Sequence, residues 1–242
     1  MNADKTTEQE LTQSLTVLGA ALGTRLGERL VMVALYGSAA RGLYQPGFSD
    51  VNLLLVLTQA DVSVLAQVRE VMATAGGSWR ITPYLVTQQE WPQVLQAFPT
   101  RILEMKRGYR VLLGQDLLKD VEVDRQALRV RTQQELLNVL LRFRHALLGS
   151  HDPAALEADL RGSLPGFLKV LRTLVYLRTG EHLDERERVV HAGASAYGFS
   201  ETAFRQLLAW REGQVVLQGT EWEAAAGSFL ETLSRVAGGE HG

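Results

Sequence analysis

Two short apolar runs, residues 31–36 and 53–57, bracket a loop punctuated by Gly37, Gly42, Pro46 and Gly47. Runs of five or six residues that are apolar at every position read as strands buried on both faces, because a half-solvated strand would alternate. Gly42, Pro46 and Gly47 supply turn chemistry between them. The first run ends in Gly37-Ser38, and the second is entered through Ser49-Asp50-Val51-Asn52. This pair of strands, and what sits at its ends, constrains the fold more than any other feature of the chain.

Helical spacing surrounds the two runs. Leu11, Leu15, Leu18, Leu22, Leu26 and Leu30 recur every three or four positions and predict a helix over 7–30 with one apolar face. Gly19, Gly23 and Gly27 line up along it and read as a close-packing stripe. A phosphate-binding glycine loop would be followed by lysine and serine or threonine, and this one is not. Val64, Leu65, Val68, Val71 and Met72 predict a helix over 61–75 that stops at Gly76-Gly77. Residues 79–86 are a third strand, pushed toward an edge or a bulge by Pro83. Short helices are expected over 88–98 and 101–106, then a short strand over 109–113 ending at Gly114. Strands alternating with helices predict an α/β domain over 1–118, a short mixed sheet flanked by helices.

Past Asp124 the strand signal stops. Leu128, Leu136, Leu137, Leu140, Leu141, Phe143 and Leu147 predict an amphipathic helix ending at Gly149. Leu164, Phe167, Leu168, Leu171, Leu174 and Val175 predict another, ending at Gly180, with Asp152-Pro153 as a start. Shorter helices are expected over 185–197, 201–211 and 221–236, the second opened by Ser200. Residues 119–242 therefore read as an all-helical bundle.

Composition narrows the function classes. The chain has 242 residues, 46% apolar and 21% charged, with a net charge of −2, so no global field draws it to nucleic acid or an anionic membrane. It has no cysteine, which excludes disulfides, cysteine–zinc sites and thiol catalysis and fits a reducing cytoplasm. The first thirty residues carry no apolar signal-peptide core, and no run approaches the roughly 18–20 apolar residues that span a bilayer. A cytoplasmic protein with no membrane partner is expected.

Phosphoryl and nucleotidyl transfer need the triphosphate held in line and its developing charge neutralised by divalent cations. A strand ending in Gly-Ser that turns into a helix serves the first need, with close backbone approach, helix N–H groups and a hydroxyl. Carboxylates serve the second, since magnesium takes hard oxygen ligands, and two of them one residue apart on a strand project to the same face.

Gly37-Ser38, eleven intervening residues and Asp50-Val51-Asn52, with apolar strands on both flanks, closely resemble the signature of the DNA polymerase beta-like nucleotidyltransferase superfamily. The stretches Phe98-Pro99, 103–106 and 109–116 resemble bacterial nucleotidyltransferase-like proteins with a helical C-terminal half. Kanamycin-type nucleotidyltransferases have the same architecture. The resemblance implies an α/β nucleotidyltransferase domain, a nucleoside triphosphate as substrate or ligand, and Mg2+ held at Asp50. It implies Asp50 as the catalytic carboxylate and Gly37, Ser38, Arg41 and Asn52 as nucleotide-binding residues. Active members carry an acid where Asn52 stands and a third on a later strand, but residues 80–87 contain neither Asp nor Glu. One of three metal carboxylates is therefore present, and the magnesium site is weakened.

Three functions are open at this point. One is a catalytically impaired member that binds a nucleotide at the Gly37-Ser38 turn. Another is an active magnesium-dependent enzyme moving a nucleoside monophosphate to a small-molecule or protein acceptor. The third is an interaction protein of the toxin–antitoxin kind, with a protein partner or as an oligomer. Arg101, Lys106, Arg107 and Arg110 form a basic cluster opposed by Glu104, read as a solvated helix face or a triphosphate contact. Arg125, Arg129, Arg131, Arg142 and Arg144 interleave with Asp124 and Glu135 and read as surface charge balance, Glu135 also being a candidate general base. His145, His151, His182 and His191 show no metal spacing.

Overall fold

The computed structural model describes residues 2–44, 49–75, 77, 79–149, 153–217 and 221–239. Pro46, Gly47, Gly76, His151 and Asp152 lie outside the described residues. The chain divides into two compact units, Met1–Asp124 and Arg125–Gly242.

The first unit is built on a four-stranded mixed sheet. Its strands are β1 (Leu30–Tyr36), β2 (Val51–Leu57), β3 (Ile81–Thr87) and β4 (Tyr109–Gly114), in the order β3-β2-β1-β4. β1 is antiparallel to β2 and β4, and β2 is parallel to β3. Helices α1 (Asn2–Leu26) and α2 (Val62–Ala75) cover one face, and α3 (Trp91–Ala97) and α4 (Pro99–Lys106) cover the other. The two inner strands are apolar on both faces for this reason. Val33, Leu35, Val51, Leu53, Leu55 and Leu57 meet Leu11, Leu15, Leu18 and Leu22 of α1 and Val64 and Val68 of α2. Met32, Ala34, Tyr36, Leu54 and Val56 meet Trp91, Val94, Ile102 and Met105. Pro83 lacks the N–H a central strand would use, and β3 is an edge strand.

Glycines mark where backbones approach. A Cβ on Gly19 would sit 3.6 Å from Leu112 Cβ, and one on Gly23 would sit 2.5 Å from Leu113 Cδ2, so the stripe packs α1 against β4. Gly27 does not belong to that stripe. Its φ of +57° ends α1, one 3-10 turn follows, and Leu30 joins the sheet opposite Leu57. The helix expected to run to residue 30 is shorter because strand pairing claims its last leucine. Asp61 caps α2, its carboxylate accepting from the Val64 N–H at 2.9 Å.

The second unit is helical among its described residues. It comprises α5 (Arg125–Gly149), α6 (Pro153–Thr179), α7 (Arg186–Tyr197), α8 (Glu201–Arg211) and α9 (Glu221–Gly238). Phe143, Phe167, Phe204 and Phe229, all buried, bring α5, α6, α8 and α9 together edge to face, with centroids 4.9 Å apart for Phe143–Phe229 and 5.4 Å for Phe167–Phe204. Ser200 caps α8 by accepting from the Ala203 N–H at 3.2 Å. Leu137 and Leu141, expected on the buried face of α5, are 41% and 57% exposed. The buried stripe runs through Leu128, Thr132, Leu136, Val139, Leu140 and Phe143, one position round the helix from them.

Candidate active site

The Gly37-Ser38 turn follows directly from β1. Gly37 has a φ of +83°, a conformation that favours glycine, and a Cβ there would lie 3.0 Å from Asn52 Nδ2. Ser38 is the N-cap of a single 3-10 turn, Ala39–Arg41, whose Arg41 N–H donates to the Ser38 carbonyl at 3.1 Å. The Leu43 N–H donates to the same carbonyl at 2.9 Å, and Gly42 turns the chain at φ +71°. The helix expected after Gly-Ser is thus one three-residue turn. A turn this short sums few peptide dipoles, so it offers a bound phosphate backbone N–H groups but little macrodipole.

Strand register brings the remaining motif residues together. Asn52 pairs with Tyr36 across β1 and with Thr82 across β3, so all three project to the face covered by α3 and α4. Asp50 lies just before β2, and Arg80 lies just before β3. The Val51 N–H donates to the Arg80 carbonyl at 2.9 Å, and Arg80 Nε donates to Asp50 Oδ1. The Asp50 and Arg80 side chains are 39% and 66% exposed, so their ion pair is worth at most about 1 kcal/mol. Arg80 is the partner that sequence reading missed. The usable signal was the parity of residues 80, 82 and 84, which places Arg80 where its side chain can reach the motif carboxylate.

Farther along the same face, Arg101 of α4 lies over the Tyr84 ring, 4.5 Å from its centroid, and its charge acts on the neighbouring Tyr36 phenol. Burial holds the Tyr36 phenol above the ordinary tyrosine value, and Arg101 opposes that rise. The folded chain therefore binds this proton more tightly than the unfolded chain does. The resulting stability is complete below pH about 10 and is lost as the pH rises through the raised value. In an alkaline titration followed by phenolate absorbance, Tyr36 and Tyr109 are both expected to ionise late, and Tyr36→Phe is expected to remove one of these two late ionisations.

The remaining basic residues are drawn inward. Arg41 Nη1 lies 3.2 Å from Glu104 Oε1, and Arg107 Nη1 lies 3.0 Å from Glu104 Oε2. The Arg107 side chain is 3% exposed. Lys106 Nζ donates to the carbonyls of Leu118 and Lys119, both at 3.0 Å. Within the expected cluster, Lys106 and Arg107 have internal partners and Arg101 is stacked on Tyr84, so these three do not form a solvated face, whereas Arg110 on β4 is exposed. Arg41 lies beside the turn as expected, but its guanidinium is engaged with Glu104. A Cβ on Gly108 would lie 2.5 Å from Arg41 Cγ, so Gly108 leaves the space across which Arg41 reaches α4.

The donor set follows from this geometry. Among Asp50, Asn52, Arg80, Thr82 and Tyr84 the one carboxylate is Asp50. Glu104 is shared between two arginines. Asn52 and Thr82 offer neutral oxygens, which can ligate a cation but bring no charge to it. Among the described residues no group of three or more His, Cys, Asp or Glu is arranged to hold a metal ion. In the helical unit Glu135 pairs with Arg131 at 3.1 Å, His182 stacks on Tyr176 at 4.2 Å, and His191 Nδ1 lies 2.9 Å from Glu201 Oε2. No described helix is long and apolar enough to cross a membrane.

No protein-family model matches the chain, and no curated protein matches its sequence. Solved structures do match. Spectinomycin adenyltransferase AAD(9) from Enterococcus faecialis, solved with ATP and spectinomycin, superposes with a TM-score of 0.60 at 14% identity, over 93% of this chain and 98% of that one. A nucleotidyltransferase-like protein from Exiguobacterium sibiricum 255-15 aligns with a TM-score of 0.41 at 14% identity, over 91% of this chain and 74% of that one. With its mixed sheet between helices, its Gly37-Ser38 turn after β1 and its helical C-terminal half, the chain has the nucleotidyltransferase fold.

Proposed function

We propose that this protein binds a nucleotide at the Gly37-Ser38 turn and does not run the two-metal transfer reaction. The observation that carries the reading is the charge on the motif face. Asp50 is its one carboxylate, Arg80 is its partner, and neutral Asn52 and Thr82 stand beside it. Two divalent cations bring four positive charges, and mutual repulsion in a site with one carboxylate leaves them poorly held. The residues therefore do not fit a magnesium pair. Arg80, a permanent cation at the mouth of the site, offsets the Asp50 charge that would otherwise repel a metal-free phosphate. The turn supplies backbone N–H groups and the Ser38 hydroxyl to phosphate oxygens, and Gly37 lets them approach closely. The solved neighbour with ATP supports a nucleotide as ligand. The cysteine-free sequence supports a reducing cytoplasm as its compartment.

A second reading is kept because the order Gly37-Ser38 to Asp50 is intact and that neighbour was solved with both ATP and spectinomycin. In it the chain moves a nucleoside monophosphate to a small-molecule or protein acceptor with magnesium. Calorimetry of ATP on the full chain, in magnesium and in EDTA, separates the two. The first reading expects affinities within about twofold of each other and no incorporation of labelled nucleotide. Binding that requires magnesium and disappears in Asp50→Ala overturns it in favour of the second.

A further inference from the structure

In the helical unit, the first turns of α5 meet the ends of α6, α7 and α9 around an open cavity of about 320 Å3. Its lining is Arg125, Arg129, Leu174, Leu177, Arg178 and Tyr197, with Gly239 at the rim. Among the described residues the lining holds three guanidinium groups and no carboxylate. Leu174 and Leu177 are buried beneath it and give an apolar floor, and Tyr197 gives an aromatic wall.

Helix ends alone do not account for three arginines. Arg125 donates to the Leu177 carbonyl in the last turns of α6, and Arg178 lies 5.8 Å from the Tyr197 ring centroid. Both contacts are ordinary neutralisation of helix C-termini and ring stacking. Each helix C-terminus carries roughly half a negative charge, so three ends offset about one and a half of the three cations. The N-terminus of α5 adds about half a positive charge. With Asp124, the residue before α5, counted against them, the described residues leave about one positive charge in excess at the cavity mouth. Arg129 has no hydrogen-bond or ion-pair partner among the described residues. A volume of about 320 Å3 lies at the lower end of the range for small-molecule sites, roughly 300–1,000 Å3.

We infer that this cavity is a binding site for a small organic phosphomonoester. The phosphate is held by Arg129 and Arg178, with Arg125 as the fixed third cation, and the organic part lies on Leu174, Leu177 and Tyr197. Two guanidinium groups match a dianionic phosphate in geometry and charge. A carboxylate can bridge two guanidinium groups, as Glu104 does, but it brings one negative charge where a phosphomonoester dianion brings two and a third acceptor oxygen. The site belongs to the helical unit alone and does not depend on nucleotide binding at the Gly37-Ser38 turn.

Phenyl phosphate is the probe, titrated into the full chain alongside inorganic phosphate. The arginine Nε–H resonances of Arg125, Arg129 and Arg178 are expected to shift, and the calorimetric affinity is expected to fall at least about tenfold in the Arg129→Ala/Arg178→Ala double variant. Unchanged affinity in that variant overturns the assignment, as does binding that Ser38→Ala removes and the double variant keeps. Equal affinity for phenyl phosphate and inorganic phosphate overturns the organic half of it. Binding of a single-stranded oligonucleotide without binding of phenyl phosphate points to a nucleic-acid surface and overturns the whole. Should the double variant fail to fold, the three resonances in the unaltered protein decide the question.

Discussion

An Asn52→Asp/Thr82→Asp variant is expected to bind ATP with a magnesium dependence that the natural sequence lacks. The two positions face each other across β2 and β3 on the face that Asp50 reaches, so the substitution places three carboxylates around one point. Without metal, each added charge about 5 Å from a phosphate costs about 0.8 kcal/mol even at the dielectric constant of water. The pair therefore weakens ATP binding roughly tenfold in EDTA. With magnesium the same charges become ligands, and affinity recovers or exceeds that of the natural protein. The ratio of affinities in magnesium and EDTA is expected to rise from near one to at least about tenfold. Calorimetry under the two conditions measures it. A natural protein that already shows that ratio holds a metal with its present residues, and the reading of Asn52 and Thr82 as losses would then be wrong.

Gly114→Ala is expected to cost about 3–5 kcal/mol, which is most of the stability of a marginal domain. Gly114 sits at the end of β4 with a φ of +91°, opposite Met32. A Cβ there would lie 2.1 Å from the Val31 carbonyl oxygen and 2.9 Å from its carbon. Backbone cannot rotate out of the way as a side chain can. The same Val31 oxygen accepts from the Gln115 N–H at 2.9 Å, so relieving the clash breaks the link that closes β4 onto β1. Gly180→Ala is the control. Its φ is +74°, but nothing lies within 4 Å of the added Cβ, so the expected cost is about 1 kcal/mol of backbone strain alone. Urea unfolding of the two variants separates close approach from conformational strain. Equal costs would show that the Val31 contact gives way freely.

The architecture was legible in the sequence for a physical reason. Periodicity reports burial one element at a time, and each element here buries a face that its own residues declare. Residues 53–57 are apolar throughout because helices cover both sides of β2, and Pro83 marked β3 as an edge through its missing N–H. The failures came where two elements compete for one residue. Leu30 has the spacing of α1 but pairs with Leu57, and Leu137 and Leu141 fit a helical period one position away from the stripe that is buried.

The candidate site divides in the same way. By itself the sequence determined that Gly37-Ser38 and Asp50 stand at the ends of two buried strands, and that Asn52 breaks the expected run of acids. Local chemistry settles those points, since they need only chain order and strand context. Only the tertiary structure decided who stands next to whom. It set Arg80 against Asp50, Thr82 against Asn52 and Arg101 against Tyr36 and Tyr84, and it turned Arg41 and Arg107 toward Glu104. Apart from Arg107 with Glu104, three residues apart on α4, those pairings come from strand register and helix placement, which couple residues about 17 to 65 positions apart. A charge in the sequence therefore shows that a cation is present, and the fold decides whether it faces a ligand or a neighbour.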